Sequence, residues 1–185
     1  RWCEQWEVPY VFGSGDTRAA MGEGLSLEEA ARRLRYAFLE QELEAGAYDA
    51  LLTAHHADDN AETMLLNLLR GTGLRGLAGI PPIRGRILRP LLQNTRADLA
   101  AYAAAHGISH VEDETNGQDD AARNVLRHKV LPVLKGLNPR ALENMSRAAG
   151  LLRRDEAALS DAAKGLLCRA VLGPEGASIP LEAVQ

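Results

Sequence analysis

Within eight residues, His55-His56-Ala57-Asp58-Asp59-Asn60-Ala61-Glu62, two imidazoles and three carboxylates crowd together. Such a set can ligate a divalent metal, move a proton near neutral pH, or hold a cationic substrate. If a helix begins here, Asp59 and Glu62 fall at i, i+3 on one face of its first turn. Two like charges so close are costly without a cation between them. A metal, a substrate ammonium or an arginine could supply it, and Asp58 is the metal-ligand candidate of the group. The plainer reading makes one aspartate an N-cap and Glu62 a partner of the helix dipole, which leaves the paired histidines unexplained.

Arginine is the second chemical theme. Arg32 and Arg35 stand at i, i+3, and Arg123 and Arg127 at i, i+4, spacings that suit either a solvated ion-pair face or a phosphate clamp. Residues 70 to 96 hold six arginines (Arg70, Arg75, Arg84, Arg86, Arg89 and Arg96) and no acid. The net charge of -4 hides this asymmetry: residues 1–60 carry -7, residues 61–140 carry +4 and the remainder -1. A basic stretch of this kind suits a polyanion or a solvated loop. Gly71-Thr72-Gly73-Leu74-Arg75-Gly76 spells a dinucleotide fingerprint but closes a helix instead of opening one after a strand, so its glycines read as turn residues.

The elements that position these residues follow from periodicity. Val8-Pro9-Tyr10-Val11-Phe12 reads as a strand ending at Gly13-Ser14-Gly15-Asp16. Ser26-Leu27-Glu28-Glu29 is a capping box, and Leu27, Ala30, Ala31, Leu34 and Phe38 carry a helix over 27–45 that Gly46 stops. Ala50-Leu51-Leu52-Thr53-Ala54 is a buried strand feeding a helix with Ala61, Leu65, Leu68 and Leu69 on its apolar face, ended by Gly71. Ile87-Leu88-Arg89-Pro90 is a further strand, and Thr95 caps a helix stopped by Gly107. Alternating strands and helices predict an α/β fold with a parallel sheet flanked by helices, whose ligands gather beyond the carboxyl ends of the strands. The His55–Glu62 cluster occupies that place. From Asn138-Pro139 an apolar series runs to Gly173-Pro174, a helix of about 50 Å at about 1.5 Å per residue. The expected organisation is a catalytic α/β domain over 1–135, a helical linker over 136–173, and the start of a C-terminal region over 174–185.

With 185 residues, 46% hydrophobic and 25% charged, the chain can bury a real core. It has no apolar run long enough to span a bilayer and no signal peptide at its start, which argues against a membrane protein. Cys3 and Cys168 lie too far apart in sequence for a metal ribbon or redox pair, and a cytoplasmic setting is expected.

Thr53 to Thr63, followed by Leu68-Leu69-Arg70-Gly71-Thr72-Gly73-Leu74-Arg75-Gly76-Leu77, closely resembles the signature of the tRNA(Ile)-lysidine synthetases. Further matches follow in order: Glu29-Ala30-Ala31-Arg32 through Arg35-Tyr36, Arg89-Pro90-Leu91-Leu92, and Asp113-Glu114-Thr115-Asn116 with Arg123-Asn124 through Arg127 and Leu131-Pro132. The resemblance covers about residues 1–150 and implies the ATP-pyrophosphatase (PP-loop) fold, related to the adenine nucleotide alpha hydrolases. The family's Ser-Gly-Gly-x-Asp-Ser phosphate loop has no counterpart here, so the chain is expected to be a portion of a longer enzyme.

The resemblance implies an enzyme that uses ATP and Mg2+ to adenylate the C2 oxygen of the wobble cytidine in an isoleucine tRNA with a CAU anticodon. Free L-lysine then displaces AMP through its ε-amine. Asp59 and Glu62 would hold lysine, and Arg127, with Arg123 in support, would face the α-phosphate or the substrate. Arg32, Arg35, His55 and Arg123 would serve ATP, and His55 and His56 either line the nucleotide side or transfer protons. Arg70, Arg75, Arg84, Arg86 and Arg89 become candidate tRNA contacts, and a homodimer stays open. A tRNA-thiolating relative is a second reading, although the two cysteines offer no catalytic arrangement. A noncatalytic tRNA-binding module is the third.

Overall fold

The computed structural model describes residues 2–21, 27–110, 121–169, 171–173 and 176–178. After a short helix α1 (Trp2–Gln5), the chain runs extended and exposed to residue 16, then forms α2 (Leu27–Ala45). The strand expected at 8–12 does not form. Val8, Tyr10, Val11 and Phe12 stand 51–83% exposed, and among the described residues no strand offers them a ladder. β-propensity without a hydrogen-bonding neighbour leaves only extended chain. Helix α2 has the expected bounds; its capping Ser26 lies outside the described residues. Its stop is not Gly46 but Ala47, which takes φ 49°. Tyr48 N–H donates to Leu43 O, and Ala47 N–H to Glu44 O, the paired bonds of a Schellman ending.

The sheet has three short strands. β1 (Leu51–Leu52) pairs in parallel with β3 (Ile87–Leu88), Leu51 opposite Ile87, as the crossover expected of an α/β fold requires. β2 (Ile83–Arg84) pairs antiparallel with β3, giving the order β1-β3-β2. The sheet is therefore mixed and not wholly parallel. Only Gly85 (φ 57°) and Arg86 join β2 to β3, and a two-residue connection can make nothing but a hairpin. The sequence predicts a strand in this region only at Ile87–Pro90, so β2 is an addition to that expectation.

Between β1 and β3 run α3 (Ala57–Leu69) and the single turn α4 (Leu74–Leu77). Helix α5 (Arg96–Ala105) is capped as expected, with Asp98 N–H donating to Thr95 Oγ1 at 3.1 Å and Thr95 N–H to Asp98 Oδ2 at 2.8 Å. Gly107 ends it at φ 62° in a second Schellman motif.

The next helical run has three parts: α6 (Ala121–Val125), a π turn (Leu126–Val130) and α7 (Leu131–Leu137). Pro132 cannot donate to the carbonyl four residues back and its ring crowds that group; the wider turn ahead of it relieves the clash. Leu126 and Leu131, at i, i+5, are both buried; an α-helix would set them about 140° apart, and the wider π turn brings them closer to one face.

α8 (Ala141–Leu167) is about 40 Å long at about 1.5 Å per residue, shorter than expected. It starts two residues after Pro139 because Asn138 is extended and its side chain accepts from Arg140 N–H at 2.9 Å, forming a turn before the helix. It is followed by a hairpin, β4 (Val171–Gly173) and β5 (Gly176–Ser178). Nor is α8 simply a linker. Leu142 joins Ala61 and Leu131 in the main buried cluster, with Leu65, Leu134 and Met145 around it. Further along, Arg153 donates to the Ala78 carbonyl. The first half of α8 thus belongs to the domain, and only the rest extends from it. No helix among the described residues is long and apolar enough to cross a membrane.

Candidate functional site

The cluster forms where β1 ends and α3 begins. A strand must turn over a short connection to enter the following helix, and here His55 and His56 are the last two of the four residues, Thr53 to His56, that make it. His56 is the N-cap of α3: its backbone N–H donates to Asp59 Oδ2 at 2.9 Å, and its Nδ1 lies 3.4 Å from Asp59 N. A capping box therefore consumes part of the polar set, but its N-cap is His56 and not one of the aspartates, as the plainer reading had it. His55 Nδ1 sits 2.9 Å from Thr53 Oγ1. Burial lowers the pKa of His55; the Asp59 carboxylate works in the opposite direction, and Arg89 and Arg32 reinforce the fall. Its imidazole is accordingly neutral near pH 7 and able to take up a proton.

Asp58 does not face an open metal position. One oxygen accepts from Lys135 Nζ at 2.9 Å and the other from Arg96 N–H at 2.8 Å, in the first turn of α5. Burial works against its ionisation, yet the Arg96 N–H and the Lys135 ammonium outweigh it and hold the carboxyl below its ordinary value. Among the described residues no group of three or more His, Cys, Asp or Glu is arranged to hold a metal ion. Both carboxylate oxygens of Asp58, the metal-ligand candidate, are engaged by these partners in this structure.

Glu62, one turn on, is fully buried. Arg127 meets it as a fork, Nε to Oε1 at 2.7 Å and Nη2 to Oε2 at 3.1 Å. Arg127 Nη2 also lies 3.8 Å from Asp59 Oδ1, and Arg123 Nη1 3.9 Å from Glu62 Oε2. The bond to Glu62 raises the Arg127 pKa; its partial burial opposes this and the neighbouring carboxylates add to it. Of the three cations that could have separated Asp59 from Glu62, the structure supplies arginine. Planar bidentate pairing makes this contact directional as well as strong. Asp59, with 22% of its side chain exposed, is the more open carboxylate.

The arginines expected to serve phosphates divide. Arg32 stacks over the Tyr36 ring at 5.1 Å and lines a cavity of about 590 Å³ between α2 and the β2–β3 hairpin, with Arg33, Arg84 and Arg86. Arg35 lines a different cavity of about 500 Å³ between α2 and residues 13–17. The structure does not bring Arg35 to the His55–Glu62 cluster.

Arg70, Arg75 and Arg84 are exposed. Arg86, by contrast, is held by Glu44 Oε1 at 2.6 Å and by the carbonyls of Tyr48 and Asp49. Arg89 is buried and donates to Pro81 O at 2.7 Å, so it is not part of an exposed basic run. The sequence offered no sign of this, because an arginine consumed by carbonyls has the same letter as a free one.

Three participants escaped the sequence reading. Lys135 pairs with a residue 77 positions away, a separation no periodicity reveals. Buried Asn60 accepts from Ile80 N–H at 2.7 Å through Oδ1. Arg153 reaches back from α8 to the same loop. The polar motif Glu112–Asn116 lies outside the described residues.

Comparison with protein families matches residues 1–134 to the PP-loop domain. The tRNA(Ile)-lysidine synthase of Pseudomonas fluorescens is 42% identical over 177 residues, 94% of this chain and 39% of that protein. The tRNA(Ile)-lysidine synthase of Parabacteroides distasonis is 46% identical over 148 residues, 80% of this chain and 34% of its own length. That of Alkalilimnicola ehrlichii is 49% identical over 163 residues, 86% and 36% respectively. The chain thus spans between a third and two fifths of these relatives.

Proposed function

The chain belongs to the PP-loop domain family, and from that membership we propose that it forms part of a ligase that converts the wobble cytidine of a CAU-anticodon isoleucine tRNA to lysidine. The observation that carries the proposal is the Asp59–Glu62–Arg127 cluster, assembled at the carboxyl end of β1 from residues 65 positions apart. The names of the matched relatives, tRNA(Ile)-lysidine synthases, agree with it.

In this reading the cytidine C2 oxygen attacks the α-phosphate of ATP and pyrophosphate leaves. The lysine ε-amine then attacks C2, forming the C–N bond as AMP departs. Asp59 meets the substrate ammonium. Glu62 reaches it by giving up one of its bonds to Arg127, whose guanidinium turns to the phosphate with Arg123 in support. His55, neutral near pH 7, is suited to accept a proton shed by the amine. Arg35, and with it Arg32, each lining a cavity beside α2, would steady the ATP phosphates. Magnesium fits best as an ion carried on the nucleotide phosphates, since Asp58 is engaged by Lys135; it would screen their charge. Exposed Arg70, Arg75 and Arg84 serve the tRNA backbone. Its substrates, ATP, lysine and tRNA, make the cytoplasm its place of action.

The test is the lysine and ATP dependence of turnover in the full-length protein carrying Asp59→Ala. Half-saturating lysine is expected to rise by about tenfold or more while half-saturating ATP stays unchanged. An equal shift in both would remove Asp59 from the lysine site.

A further inference from the structure

We infer that Lys135 is a positioning residue for this site, acting through Asp58 to fix the helix that delivers Arg127 to Glu62. The inference rests on the reading of the Asp59–Glu62–Arg127 cluster given above.

The helical run from Arg123 to Leu137 lies against one face of α3. Asp58, Ala61, Glu62 and Leu65 fall at i, i+3, i+4 and i+7, the spacing of a single stripe. Along it the partners run in the opposite chain direction: Lys135 on Asp58, Leu131 packed with Ala61, and Arg127 on Glu62. The contact that matters for chemistry is at one end, inside the π turn that holds Arg127, and Lys135 is at the other, in α7.

That turn is the weak link. Its i→i−5 bond, Leu131 N–H to Leu126 O, is one residue wider than its neighbours, and returning it to an α-turn would rotate everything ahead of it by about 100° per residue. Such a rotation would take Arg127 off Glu62. Pro132, whose ring would crowd the carbonyl four residues back, and Leu131, packed with Ala61, both resist that return, but neither ties the run to α3 with direction. Lys135, one turn beyond Leu131, adds a directional pin.

The anchor on the other side is firm. Asp58 is only 8% exposed, and its second oxygen is held by the first turn of α5. One carboxylate therefore ties α3, α5 and α7 together. Lys135 also removes a competitor. The charge of Asp58 is felt at Arg127, and an unpaired Asp58 would draw the guanidinium away from Glu62. Neutralising it leaves Glu62 and Asp59 as the carboxylates that Arg127 serves.

The experiment compares Lys135→Met, Lys135→Arg and Asp58→Asn in the full-length protein. Lys135 is 42% exposed along its side chain, so methionine keeps its stem without burying new polar surface. The primary readout is hydrogen exchange of the Arg127 Nε–H, its resonance identified by its disappearance in Arg127→Met. Exchange is expected to accelerate by about tenfold in Lys135→Met and Asp58→Asn and to stay within about twofold of the parent in Lys135→Arg. The double variant Asp58→Asn, Lys135→Met should add nothing to either single change, because both break one chain of contacts. Half-saturating lysine should rise about fivefold in Lys135→Met. Unchanged Arg127 exchange in Lys135→Met, even with a lower melting temperature, would reduce Lys135 to a stabilising strut and overturn the inference. If the parent protein shows no lysine-dependent turnover, the functional reading fails, while the exchange result still decides the role of Lys135.

Discussion

Arg127→Met leaves Glu62 as a fully buried carboxylate from which both bonds of its guanidinium fork have been removed. Removing one partner of a buried ion pair costs about 3–5 kcal/mol, chiefly because the survivor keeps its charge in a poorly solvated place. Arg127 is itself 28% exposed and Arg123 lies 3.9 Å from Glu62, so screening and partial compensation place the loss near about 3 kcal/mol. Glu62→Gln strands a guanidinium that can still reach Asp59 and water, and costs about 1–2 kcal/mol. The double change removes both charges and should be more stable than Arg127→Met alone by about 1 kcal/mol or more. Urea unfolding midpoints of the four proteins measure this cycle, provided the slopes agree. An Arg127→Met cost below about 1 kcal/mol, or a double variant no better than that single change, would show that the fork is not the buried pair described here.

The acid limb of the stability curve should carry Asp58. Its folded pKa is lowered, so its contribution is present above about pH 3.9, its unfolded value, and fades as pH falls through the folded one; Asp58→Asn should flatten that limb in acid titrations. His55, also lowered, works nearer neutrality. Its unfolded form binds the proton first, so stability should decline below about pH 6.5, and His55→Gln should lessen that decline. Gly79→Ala should destabilise by more than about 1 kcal/mol on thermal unfolding, since the backbone there has φ 66° and a Cβ would collide with Asn60 Oδ1. Exchanging Arg75 and Arg84 for glutamine should lower the salt slope of tRNA binding by about one or two counterions, whereas Arg89→Gln should act on stability and leave the slope alone.

Local signals carried well into the structure. The apolar series of α2, the capping box at Thr95 and the glycine after α5 were legible because each depends on residues within one or two turns. The His55–Glu62 cluster was legible for the same reason, being contiguous, and the choice among its three possible cations was not. That choice depended on Arg127 crossing 65 positions, and on Lys135 crossing 77 to silence Asp58. Residues 8–12 failed differently: their side chains favour a strand, but a strand exists only with a partner. The basic run from 70 to 96 failed because charge counting cannot see Arg86 clamped by carbonyls or Arg89 buried against Pro81. Pro132, read only as part of a motif, proves to be the physical reason for the π turn beside Arg127.

The most direct test of the account is transfer of radiolabelled lysine by the full-length protein to two tRNA transcripts that differ only at the wobble base, C or U. The account predicts ATP-dependent labelling of the CAU transcript, none of the UAU transcript, and loss of labelling in the Asp59→Ala, Glu62→Ala double variant. Tight binding of the CAU transcript with no lysine transferred, or equal labelling by the double variant, would contradict it.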